Sequence, residues 1–285
     1  MSYAESPLHD LVETVESAEA LDEPGKTIGK LVRDTVPKGP VKDALAGTWL
    51  GHALHPMLTD VVVGSFTSAT VLDLLGNDGA DRLIAIGIAA YGPTAATGAT
   101  DWADTEIADE RVRRVGLVHA TVNVTALGLY AASLAARKNG SRGRAKMLSL
   151  AGGAVLAVGG YLGGHLSFVR GVGPNQTAFD EGPGEWTAVD AGELQENEPK
   201  GVNAGDTPVF LLRHRGHLHA MHDRCSHRGC LLSEGEVEGE SVVCACHGSR
   251  FSVRDGSVER GPATAPQPVY EVRESGGTVE VRLPE

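Results

Sequence analysis

The sequence predicts a multidomain chain, an α-helical membrane bundle of four spans followed by a small all-β domain. Charge-free runs cover residues 83–100, 115–136 and 147–169, and roughly 20 apolar residues suffice to cross a bilayer. Beyond residue 185, β-branched alternating segments such as TPVFLLRH and GTVEVRL are separated by Gly, Asp and Asn turns. All four cysteines fall between residues 225 and 246, inside the β-rich part, and none precedes them.

Residues 1–49 are charged, with apolar positions at Leu8, Leu11, Val12 and Val15 and again at Ile28, Leu31 and Val32. That is the spacing of amphipathic helices, and the segment lacks the apolar run of a signal peptide. Residues 50–170 are rich in Ala, Gly, Val and Leu. The first span, about Leu50 to Leu75, carries Asp60 and Asp73 and is the least apolar of the four. Small residues, as in AGGAVLAVGGYLGG, suit close packing of helix backbones in lipid. A soluble bundle of buried helices is the competing reading, but four such helices in series joined by short loops weigh against it. Residues 171–184, with GVGPNQTAFDEGPG, read as a Gly/Pro linker, and 185–285 as the β domain. The net charge of −12 leaves no basic stripe for nucleic acid.

Clustered Cys and His in an otherwise cysteine-free chain point to a metal or redox centre rather than a scattered disulfide framework. Cys225-x-His227 and Cys244-x-x-His247 each supply one thiolate and one imidazole, from two loops sixteen residues apart. Cys2His2 is also a tetrahedral zinc set, so spacing alone leaves zinc open. Zinc fingers, however, usually place two Cys on one arm and two His on the other. His214, His217, His219 and His222 alternate along strands and read as surface or partly buried residues without a role.

The stretches CSHRGC and CACHGS resemble the Rieske [2Fe-2S] proteins. The resemblance covers about residues 180–285. It implies that Cys225 and Cys244 hold one iron of a [2Fe-2S] cluster, with His227 and His247 on the other. It further implies that Cys230 and Cys246 form the disulfide that braces the two loops in cytochrome bc-complex members. Gly261-Pro262-Ala263 looks like the family's third, proline-containing loop. Gly248 and Ser249 of HGS, with Pro262, would line the cofactor, and the Ser249 hydroxyl would donate to a bridging sulfide. Phe251 stands where the family carries a tyrosine, which removes one donor to sulfur. Two imidazoles in place of two thiolates reduce the negative charge on the cluster, so such centres sit at roughly −150 to +300 mV, against about −400 mV for plant-type clusters. The missing donor places the expected potential in the middle or lower part of that range.

In the membrane half, GHALHP sets His52 and His55 at the start of the first span, His119 early in the third and His165 late in the fourth. Because successive spans alternate direction, these histidines, with Asp60 and Asp101, are expected near one face of the bilayer, the face that carries the β domain. Ionisable groups inside spans usually mark function. The group is a candidate site for haem b, a quinone head or an ion, set against the reading that its members are interfacial residues touching headgroups or water. GHALHPMLTDVVVG also looks like the opening of an uncharacterised bacterial four-helix membrane family, which supplies an architecture but no activity.

Eight Lys and Arg flank the spans on the terminal side and six on the other, which leans the termini and the β domain towards the cytoplasm. Span four lacks a preceding pair of adjacent arginines, which points the same way; a disulfide is easier to keep in an oxidising compartment, which points against it. The expected activity is membrane-anchored transfer of single electrons between a quinol, a haem or a reductase and a partner protein. The alternatives are a ferredoxin-like subunit of a separate oxygenase with the helices as anchor only, and a non-catalytic redox sensor. No two-His, one-carboxylate iron motif of a self-contained oxygenase is evident.

Overall fold

The computed structural model describes residues 7–77, 79–180 and 182–284. Helices α1 (Pro7–Glu16) and α2 (Asp22–Thr35) precede a short α3 (Pro40–Ala46) and four long helices. These are α4 (Leu54–Leu74), α5 (Ala80–Thr105), α6 (Glu110–Lys138) and α7 (Arg142–Gly164), the last running on through a π turn at His165–Val169. The strands are β1 (Thr187–Val189), β2 (Lys200–Ala204), β3 (Thr207–His214), β4 (His217–His222), β5 (Glu236–Glu238), β6 (Ser241–Val243), β7 (Arg250–Ser252), β8 (Val258–Arg260), β9 (Val269–Ser275) and β10 (Thr278–Arg282). The chain divides into two compact units. One takes the residues up to Val36 together with Leu54–Val172; the other takes Pro37–Ala53 and everything from Gly173 onward.

In the helical unit, α4 packs on α5 and α6 on α7, and all four helices are long and apolar enough to cross a membrane. Small residues create the contacts. A Cβ at Gly87 would run into the Phe66 ring, and one at Gly152 would press on Tyr130, whose ring stacks on Phe66 at 4.1 Å. Some of the polar groups inside are matched: Tyr130 Oη meets Thr70 Oγ1 at 2.6 Å, and Ser133 Oγ donates to the Ala145 carbonyl at 2.7 Å. Asp73, the charge that weakened the first span in the sequence, is buried against the Arg137 guanidinium. Asp109 caps α6 by accepting from the Arg111 amide at 2.8 Å.

The N-terminal segment is helical, and only part of its apolar set is buried. Val12 is buried with Val112, Val115, Leu162 and Leu166, but Leu8, Leu11, Ile28 and Leu31 are exposed. Helix α2 buries Gly25 and Gly29 instead. The absent side chains let it approach Arg113 and Glu106 closely, and charge pairing replaces apolar contact. Glu106 Oε2 accepts from Arg113 Nε at 2.6 Å, its Oε1 accepts from Arg33 Nη1 at 2.7 Å, and Arg114 Nη2 reaches Asp22 Oδ2 at 2.6 Å.

The β unit holds two antiparallel sheets, ordered β1-β10-β9-β4-β3-β2 and β5-β6-β7-β8. Strand β3 reads as a nearly continuous apolar run because both its faces are buried. Phe210 and Leu212 join a core with Met221, Leu232, Val242 and Phe251, while Val209 and Leu211 join a second core with Val279 and Val281. Arg215 and Gly216, at φ 52° and 76°, close the β3–β4 hairpin. The stretch SVVCACH leaves the sheet after Val243, which releases its cysteines and histidine into a loop.

Candidate metal centre

Two loops of matching construction form the site. In the first, the Cys225 amide donates to the Cys230 carbonyl and the Gly229 amide to the Cys225 carbonyl, both at 2.8 Å. In the second, the Cys244 amide donates to the Ser249 carbonyl and the Gly248 amide to the Cys244 carbonyl, both at 2.9 Å. Gly229 and Gly248 occupy equivalent turn positions at φ 76° and 77°, conformations that favour glycine. A Cys230–Cys246 disulfide ties the loops together. The Cys230, Cys244 and Cys246 sulfurs lie within 4.8 Å of one another, but with two of them bonded only Cys244 remains a ligand donor in that group.

The free thiols of Cys225 and Cys244 are both buried and hydrogen-bonded to each other. That bond holds the Cys244 thiolate well below the ordinary thiol range and pushes Cys225 up, so one proton serves two sulfurs. The His227 and His247 rings stand edge to face, 4.9 Å between centroids. Burial, followed by the neighbouring His247, lowers His227 to about 3, which keeps it neutral, the form in which imidazole binds metal. His227 Nδ1 is buried without a hydrogen-bond partner, an arrangement that costs free energy unless something coordinates it. Two buried thiols, two imidazoles and one orphaned ring nitrogen fit a [2Fe-2S] group.

The proline loop closes the site, with a cis bond between Gly261 and Pro262. The Ala263 amide donates to Ser249 Oγ at 3.0 Å, leaving the Ser249 proton to donate elsewhere. Phe251 is fully buried in the apolar core, where a hydroxyl would need a partner. Gln267 was not legible in the sequence, yet its Oε1 accepts from the Ser226 amide at 2.7 Å and its Nε2 donates to the His222 and Arg224 carbonyls at 2.9 Å. Arg260, also unanticipated, donates through Nη2 to the Gly248 carbonyl at 3.1 Å. The model of the Rieske [2Fe-2S] domain family matches residues 185–271. The anthranilate 1,2-dioxygenase ferredoxin subunit of Burkholderia cepacia is 40% identical over 100 residues, which span 35% of this chain and 93% of that protein. The chain belongs to the Rieske [2Fe-2S] family.

Its Rieske domain is also similar to sulredoxin of Sulfurisphaera tokodaii, 30% identical over 33% of this chain and 93% of the relative. It is likewise similar to the ferredoxin component of biphenyl 2,3-dioxygenase from Rhodococcus jostii, 33% identical over 33% of this chain and 87% of the relative. Residues 51–176 match the model of a predicted membrane protein family, DUF2231, so the chain fuses that region to the Rieske domain. A Rieske domain implies electron transfer.

One of the four strand histidines departs from the expectation of an ordinary surface or partly buried residue. His222 is wholly buried; its Nδ1 accepts from the Arg224 amide at 3.0 Å and its Nε2 donates to Asp180 at 2.9 Å, which pins the linker to the Rieske domain. Sequence alternation could not single it out, because its partner lies 42 residues away.

The membrane-half candidates are held by different partners. His55 Nδ1 donates to the Thr94 carbonyl at 3.0 Å, and His119 Nδ1 donates to the Gly159 carbonyl at 2.9 Å. His165 is bound through Nε2 to Glu16 at 2.7 Å, a carboxylate also held by Arg170. His52 is exposed ahead of α4, with Nδ1 on the Ala53 carbonyl at 3.0 Å. Asp60 is exposed on α4 and Asp101 half-buried on α5.

Proposed function

We propose that the chain is a membrane-anchored one-electron carrier whose [2Fe-2S] cluster is held by Cys225 and Cys244 on one iron and by His227 and His247 on the other. The observation that carries this reading is the meeting of two buried thiols with two imidazoles, one of which has a buried, unpartnered nitrogen. When bound, such a cluster accepts and releases single electrons. The chain's own residues supply the rest: the disulfide and Gln267 fix the loops, and Ser249 keeps a proton free to donate towards sulfur.

The helices serve as the anchor. Met57, Val61, Val71, Ile86, Val124 and Val158 on the four long helices are exposed apolar side chains of the kind that lipid covers. Two of the three named relatives are ferredoxin components of dioxygenases. Their similarity supports a partner among redox proteins, a reductase on one side and an oxygenase-type acceptor on the other, over direct oxidation of a quinol.

Anaerobic reductive titration of the full chain in lipid nanodiscs is expected to consume one electron per chain and bleach a visible chromophore. A colourless protein that takes up no electron would sink the reading.

A further inference from the structure

Residues 37–53, PKGPVKDALAGTWLGHA, lie between the N-terminal helices and the first apolar helix, yet they form one compact unit with the Rieske domain. Local chemistry folds the segment. Gly39 turns the chain at φ 143°, Pro40 opens α3, and Gly47 ends it in the left-handed conformation at φ 86°. A 3-10 turn over Thr48–Leu50 and Gly51 at φ 82° complete it.

Its contacts fall on the cluster loops. Asp43 Oδ1 accepts from the Gly261 amide at 2.9 Å, and Thr48 Oγ1 reaches the Ala263 carbonyl at 3.5 Å, so the proline loop is gripped at both ends. A Cβ at Gly248 would run into the Lys38 side chain and its ammonium, which therefore lies against the residue between His247 and Ser249. Lys42, a residue type seldom buried, is only 5% exposed, and it immediately precedes Asp43, whose carboxylate holds the proline loop. His247 itself is only 6% exposed.

We propose that Pro37–Ala53 is the fourth wall of the cluster site, placing the Lys38 and Lys42 charges beside the histidine-bearing loops so that the reduced cluster is favoured, while Asp43 holds the proline loop. The inference rests on the cluster reading above. Reduction adds one negative charge, so two fixed positive charges nearby stabilise the reduced state more than the oxidised one. Lys38 and Lys42 thus act as tuning residues, and Asp43 as a positioning residue.

The test is the midpoint potential of the full chain in nanodiscs, with the reduced-state paramagnetic signal recorded in parallel. The double variant Lys38→Gln/Lys42→Gln is expected to lower the equilibrium constant for reduction on the order of tenfold, 59 mV for one electron. Lys38→Arg should keep the parent value, as should Lys26→Gln, whose lysine belongs to the other unit. Lys38→Gln alone carries the test should the double variant fail to load iron, with a smaller downward shift expected. A parent protein with no cluster signal would overturn the cluster reading itself. A normal signal with an unshifted midpoint in the lysine variants would overturn this inference and leave the cluster reading standing.

Discussion

Replacing Cys244 with alanine is expected to give a colourless protein that retains its helices. The site has two free thiols, Cys225 and Cys244; the other two cysteines are bonded to each other and cannot stand in. Iron should fall from two atoms per chain to near zero. Far-ultraviolet circular dichroism should keep its helical intensity, because α4 to α7 belong to the other compact unit. Iron analysis beside dichroism reads both quantities. Retention of a full iron complement in the variant would mean that the ligand assignment is wrong.

Glu106→Gln is expected to cost the helical unit about 3–5 kcal/mol, the usual penalty for removing one partner of a buried ion pair. Glu106 is 1% exposed and holds two guanidinium groups, those of Arg33 on α2 and Arg113 on α6. The neutral amide leaves both cations short of a counter-charge; among the described residues Arg113 keeps only Asp22, at 3.6 Å. Because α2 is attached here through Gly29 and not through an apolar face, it should detach first. Thermal unfolding in nanodiscs gives the loss of stability, and limited proteolysis between α2 and α3 gives the order of events. Unchanged melting and unchanged cleavage would show that the Glu106 cluster contributes little.

What the sequence revealed and what it hid follow from how each feature is encoded. Metal ligation demands particular side chains at short spacings, so Cys225, His227, Cys244 and His247 stood out. Three of the four helices long enough to cross a bilayer leave charge-free runs in the sequence. The spacing at Ile28 and Leu31 could mark α2 as amphipathic but not show that its buried face would be Gly25 and Gly29 under charged partners. Nothing local in the sequence announces Glu16, 149 residues away, as the partner of His165. Asp43 and Lys38 were invisible as site residues for the same reason: their contacts lie more than two hundred residues along the chain, at Gly261 and Gly248. Gln267 and Arg260 carry ordinary surface chemistry in the sequence and acquire a role only when the loops converge.

The central claim is that two imidazole nitrogens and two thiolates of this chain share one iron pair. Pulsed electron paramagnetic resonance on the reduced full chain, with histidine labelled by nitrogen-15, tests it most directly. The account predicts hyperfine coupling to two histidine nitrogens, reduced to one in His227→Cys. A reduced cluster without histidine coupling, or a colourless chain holding stoichiometric zinc, would contradict it.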